Sequence, residues 1–247
     1  MAIPLSDQYR PRRKPWINRL LLLVNLAVFL LLTPWWGDDC TQARFYLEWA
    51  TIPSEVVELE PLGAEEADEI APEGCDIGTA DDKPVALSLL TAMFLHGGWL
   101  HLGANMLYLG VFGGTLEERL GRLRYLTFYL VVGLLATLVF VAADPQGTQP
   151  LVGASGAIAG VLGAYFRLFP RGWVTVSLPW LFFLVVPLPT VVVLGMWFLL
   201  ELFQLQVGAL TGGQVATLAH VAGFVAGLAL VGLWRPGPRQ RRRRRRR

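Results

Sequence analysis

The chain has 247 residues, 54% of them hydrophobic, with a mean hydropathy of +0.48. A soluble domain of this length is less apolar, so several membrane spans are expected. The net charge of +2 excludes little because the charges are segregated, and two cysteines, Cys40 and Cys75, make no metal framework.

Residues 1–16 form a basic N-terminus with Arg10, Arg12, Arg13 and Lys14. The first span is expected over about 17–34. The Thr33-Pro34-Trp35-Trp36 stretch after it lacks a small-residue cleavage site and reads as an interfacial border, so the span is taken as uncleaved. Residues 37–95 are one long hydrophilic, acidic loop. Of the 19 acidic residues, all but Asp7, Glu117, Glu118, Asp144 and Glu201 lie there. Its core, Glu58 to Asp82, reads as partly disordered. Phe45, Tyr46, Trp49, Ile52 and Pro53 suit a membrane surface. Cys40 and Cys75 both fall in this loop, as a disulfide in an oxidising compartment or as two free thiols otherwise.

Further spans are expected over about 96–115, 123–143, 151–169, 189–206 and 214–234. A short charged loop, Glu117 to Arg124, joins the second and third. Residues 144–150 join the third and fourth, and the uncharged Gly208 to Gly213 joins the fifth and sixth. Trp173 to Val186 is apolar but broken by Pro179, with Pro187 following. It is assigned to a connector in the interface or between helices, with a seventh span as the alternative. Residues 235–247 are an Arg-rich tail. Basic residues crowd the N-terminus, the 117–124 and 167–171 segments and the tail, so six spans place both termini in the cytoplasm.

Polar residues inside the spans carry the functional signal. His101 and Asn105 are spaced i, i+4 near the outer end of the second span and share a helix face. Ser155 lies five residues into the fourth span, about 7–8 Å deep at 1.5 Å per residue, and His220 about 10 Å into the sixth. Four polar side chains from three helices thus reach similar depth on one side. Ionisable groups in a bilayer default to function, while the bland alternative is interhelical hydrogen bonding. Small residues encode close approach: Gly153, Gly156 and Gly160 flank Ser155 or follow it, and Gly223 and Gly227 share a face with His220.

A serine hydroxyl becomes nucleophilic when a base such as histidine takes its proton. Acyl transfer also needs donors for the developing oxyanion. Asn105, the His101 ring and the Ser155 backbone N–H at a helix N-terminus are candidates. No Asp is placed to orient His220, which suggests a dyad.

Three stretches, His96-Gly97-Gly98-Trp99-Leu100-His101-Leu102-Gly103-Ala104-Asn105, Gly153-Ala154-Ser155-Gly156 and Ala219-His220-Val221-Ala222-Gly223, resemble the motifs of the rhomboid intramembrane serine proteases. The resemblance covers about Leu87 to Leu233. It implies an all-α polytopic membrane protein, a six-transmembrane-helix rhomboid-like bundle over 17–234. It implies a Ser155–His220 dyad, an oxyanion site of His101, Asn105 and Ser155, and transmembrane protein substrates, with no metal or cofactor. A bacterial plasma (inner) membrane location is expected. Two departures stand out. Ala159 replaces the aromatic that stacks on the catalytic histidine in many members, and the first loop lacks a Trp-Arg pair.

Glu201, in the fifth span near the depth of Ser155, either faces water or a backbone partner or serves substrate entry. The Arg tail suits anionic lipid headgroups, and no nucleic acid partner is expected. The competing functional reading is a non-proteolytic rhomboid-fold protein that binds client transmembrane helices. A transporter would carry more ionisable groups near the midplane.

Overall fold

The computed structural model describes residues 2–9, 11–211 and 215–234. The Arg-rich tail, Arg10, residues 212–213 of the expected fifth-to-sixth connection and residue 214 at the start of the expected sixth span lie outside the described residues. In chain order the elements are β1 (Ile3–Asp7), α1 (Trp16–Ala27), α2 (Asp39–Trp49), α3 (Pro53–Glu58), α4 (Ala64–Ile70), α5 (Val85–Thr91), α6 (Trp99–Tyr108), α7 (Gly114–Leu120), α8 (Arg122–Ala143), α9 (Ser155–Leu168), β2 (Trp173–Leu178), β3 (Leu184–Pro189), α10 (Thr190–Thr211) and α11 (Val215–Leu230). Wider π-helical turns extend α1 over Val28–Leu32 and join α6 to α7 over Leu109–Gly113.

The chain is mostly helical, and each expected span contains a helix. By length and composition α8 and Thr190–Gly208 of α10 suffice to cross a bilayer. Val85–Phe94 and Trp99–Leu120 form a third candidate bent by 77°. The other apolar helices are shorter: α9 has 14 residues, about 21 Å at 1.5 Å per residue. The charged loop expected between the second and third spans is instead helix. Glu117 and Arg119 lie in α7, and Gly121 alone, at φ 85°, turns the chain into α8. Likewise α10 runs on through Thr211, past the end expected for the fifth span.

The all-α expectation is corrected by a three-stranded antiparallel sheet, β1-β2-β3. The segment read as a connector or a seventh span is the β2–β3 hairpin, and the polar N-terminus supplies the third strand. Central β2 turns Val174 and Val176 into the main core. Pro187 sits on the edge strand β3, where a missing N–H is tolerated. Asp7 of β1 accepts hydrogen bonds from the Thr115 hydroxyl (2.7 Å) and the Tyr165 hydroxyl (2.8 Å), tying the sheet to α7 and the C-terminal end of α9. Burial raises its pKa against those two bonds.

Helix ends are satisfied by side chains from other elements. Buried Glu117 accepts from the backbone N–H groups of Ile17 (3.3 Å) and Asn18 (2.8 Å) at the start of α1. Arg167 donates to the carbonyls of Leu228 (2.8 Å) and Ala229 (3.1 Å) near the end of α11.

The acidic loop is folded, not partly disordered. Leu47, Ile52, Leu62, Ala67, Ile77 and Ala80 bury one another in a core of their own, and Cys40 and Cys75 are disulfide-bonded. Closing a loop of 35 residues contributes about 4 kcal/mol in the chain-entropy picture. Ile52 and Pro53, assigned to a membrane surface, are buried here, whereas Trp49 is exposed. Inside this unit Lys83 pairs with Glu55, both side chains fully buried, and Glu55 also accepts from the Leu62 N–H at 3.1 Å. Burial lowers the Lys83 pKa, with Glu55 opposing it. Lys83→Met strands the buried carboxylate and is expected to cost about 3–5 kcal/mol. The Glu55→Gln/Lys83→Met double variant should recover most of that loss, as read by thermal unfolding in detergent.

This unit packs on the N-terminal end of α9. Thr51 and Leu151 exchange backbone hydrogen bonds (3.3 and 2.8 Å), and the Gly153 N–H donates to the Ala92 carbonyl at 2.8 Å. The acidic unit and the sheet therefore lie at opposite ends of α9.

Candidate active site

Backbone bonds at Leu151 and Gly153 hold the chain before α9, Gly153 turns at φ 123°, Ala154 has helical dihedrals, and Ser155 is the first residue of the helix. Residues 151–154 are not helix, so a rise of about 1.5 Å per residue does not set the depth of Ser155. Ser155 thus combines an accessible hydroxyl with the unshared N–H groups of a helix N-terminus.

Helix α9 is the buried centre of the molecule, with every side chain from Ala157 to Tyr165 buried. It meets α11 backbone to backbone. A Cβ on Gly223 would fall on the Gly156 carbonyl, one on Gly227 on the Gly160 carbonyl, and one on Gly163 on the Phe224 carbonyl. On the other side Gly156 and Gly160 face Ala136 and Val132 of α8. No larger residue fits between the two neighbours. Gly153, grouped with these packing glycines by sequence, belongs elsewhere. It precedes α9 at φ 123°, and a Cβ there would sit 2.8 Å from His101 Nε2 and 3.5 Å from Ser155 Oγ. It is glycine both for its conformation and to leave room for the His101 ring.

This close approach brings His220 of α11 to Ser155, with Nε2 to Oγ at 2.8 Å. The far ring nitrogen, Nδ1, lies 3.0 Å from Glu201 Oε2 on α10. Two sequence expectations are corrected here. His220 has a carboxylate partner, and Glu201 meets an imidazole rather than water or backbone. The Glu201 side chain is 11% exposed and that of His220 27%. Trp197, one turn before Glu201, tilts against the same imidazole with ring centroids 6.5 Å apart. Trp197 was not singled out from the sequence, and Glu201 was weighed for substrate entry, not as a partner of His220. Their signal was an i, i+4 pair on one face, with Glu201 the lone carboxylate inside an expected span.

His101 and Asn105 of α6 close the other side. The Asn105 amide donates to the His101 carbonyl at 3.0 Å, so this donor is turned onto its own helix. Fully buried His96 packs edge-on against the His101 ring at 5.2 Å, and its carbonyl accepts from the Tyr46 hydroxyl at 2.9 Å. Chemically, the arrangement offers a hydroxyl against an imidazole, beside a helix N-terminus and a second imidazole.

Residues 84–236 match the Rhomboid domain family. The chain belongs to the rhomboid family. It is similar to RHOMBOID-like protein 5 of Arabidopsis thaliana, 36% identical over 150 residues, or 60% of this chain and 44% of that protein. Rhomboid-type serine protease 2 of Emericella nidulans is 30% identical over 156 residues, 62% of this chain and 28% of that one. Rhomboid-like protease 5 of Toxoplasma gondii is 34% identical over 138 residues, 55% and 15%. The chain spans less than half the length of these three relatives. Rhomboid membership and the apolar helices make it an integral membrane protein. The three relatives are eukaryotic and lend no support to the bacterial location expected above.

Proposed function

We propose that this rhomboid chain is an intramembrane serine endopeptidase that cleaves transmembrane protein substrates. The observation that carries this reading is the 2.8 Å contact between Ser155 Oγ and His220 Nε2, made by residues from two different helices. The Ser155 proton passes to His220 Nε2 as Oγ attacks the scissile carbonyl carbon. The carbonyl electron pair moves onto oxygen, where the Ser155 N–H, His101 and, after a change of rotamer, the Asn105 amide donate to it. His220 returns the proton to the leaving amine, and an acyl group stays on Ser155. Water then repeats the sequence with the roles reversed. The surrounding helices form the six-span bundle, with the acidic unit outside and both termini cytoplasmic. That placement is supported by the acidic unit and the sheet lying at opposite ends of α9. The Arg tail contacts anionic lipids.

The test is purified protein in liposomes with a single-span substrate carrying small residues near its outer end. Cleavage in or near the membrane is expected. Substrate that is bound but never cut would replace this reading with client-helix binding.

A further inference from the structure

Ala159 leaves the His220 ring without the aromatic support that the rhomboid resemblance implies, yet a general base must hold one tautomer and one orientation. We propose that Glu201 of α10 is the positioning residue of this site, fixing the His220 imidazole with Nε2 turned to Ser155. The inference rests on the protease reading above.

An ionised carboxylate can only accept hydrogen bonds. With Glu201 Oε2 at 3.0 Å, the proton on the neutral ring therefore belongs on Nδ1. That leaves the Nε2 lone pair for the Ser155 hydroxyl at 2.8 Å. The opposite tautomer would put a donor against Ser155 and two lone pairs against each other at Glu201. When Nε2 takes the serine proton the ring becomes cationic, and a neighbouring carboxylate favours that state without itself taking the proton.

The surroundings make Glu201 more than a passing contact. An ionisable group on an apolar helix needs a partner, and His220 is hydrogen-bonded to this carboxylate, with Tyr108 of α6 close enough to interact with its charge. Trp197 lies one turn earlier on the same face of α10 and tilts against the imidazole. It also packs against Phe224 of α11, with centroids 5.9 Å apart. One helix face thus supplies a hydrogen bond and a ring contact to His220, the work a single aromatic at position 159 would do from α9.

Glu201→Gln keeps the shape of the side chain, but its amide donates as readily as it accepts and no longer selects the tautomer. In the liposome cleavage assay its kcat should fall on the order of 10⁴-fold with KM unchanged, as carboxylate removal does in serine protease triads. Glu201→Asp keeps the charge and should restore part of kcat. Wild-type kcat in Glu201→Gln, with Ser155→Ala inactive, overturns the role of Glu201 and leaves the protease reading standing. A wild type that cuts nothing, or Ser155→Ala cutting at the wild-type rate, overturns the protease reading and this inference with it. Nitrogen-15 NMR of histidine-labelled wild type applies even where a variant fails to fold. A neutral His220 protonated on Nδ1 is expected, and one protonated on Nε2 overturns the proposal.

Discussion

Ser155→Ala and His220→Ala are each expected to lower kcat for substrate cleavage about 10⁴- to 10⁶-fold, and the double variant no further. The two groups act in one step: the hydroxyl without a base is a poor nucleophile, and the base without the hydroxyl has nothing to activate. Residues that work as a unit show this non-additivity. Stability should barely change in Ser155→Ala, because the Ser155–His220 hydrogen bond is partly exposed and contributes about 1 kcal/mol. His220→Ala also strands the largely buried Glu201 carboxylate, so its melting temperature in detergent should fall further. Nearly equal, large losses in both single variants separate a shared chemical step from a polar contact that only joins helices.

Gly227→Leu is expected to remove activity by a different route. Gly227 lies seven residues, about 10 Å, beyond His220 along α11. Its missing Cβ is what lets α11 rest on the Gly160 carbonyl. The obstacle is backbone, which has no rotamer to change, so α11 must move away from α9. Overpacking of this kind costs about 1–3 kcal/mol and occasionally more. A displacement of about 1 Å at the reacting groups costs on the order of 10²-fold in rate. Lower melting temperature and at least that loss of cleavage should appear together. Gly110→Ala is the control, because nothing lies within 4 Å of an added Cβ there. It should leave both readouts near wild type. Full activity in Gly227→Leu would show that helix proximity does not set the geometry of the site.

The helices and the principal residues of the candidate site were legible because each leaves a local signal. Long apolar runs mark α8 and α10, and Ser155, His101 and His220 stand out as polar groups where lipid contact would be costly. The sheet left almost none. In β2 only Thr175 and Ser177 alternate with Val174, Val176 and Leu178, and both faces of β3 are apolar, so the alternation is too short to separate a hairpin from a membrane connector. The third strand comes from the N-terminus, with Ile3 opposite Ser177, far beyond any local window. Composition misread the acidic loop, because a disulfide and a buried Lys83–Glu55 pair let a small apolar core suffice. Glu201 was visible, but read only as facing water or backbone or serving substrate entry. The sequence places no Asp to orient His220 and has Ala159 where an aromatic would stack on it, and the structure sets Glu201 and Trp197 of α10 against that ring.

The central claim is that His220 activates the Ser155 hydroxyl. Its most direct measurement is mass-spectrometric mapping of the adduct left by a serine-reactive fluorophosphonate on the membrane-embedded protein, compared between wild type and His220→Ala. A single adduct on Ser155, formed far more slowly without the imidazole, is the predicted result. Modification of another serine, or of Ser155 at an unchanged rate in His220→Ala, would contradict it.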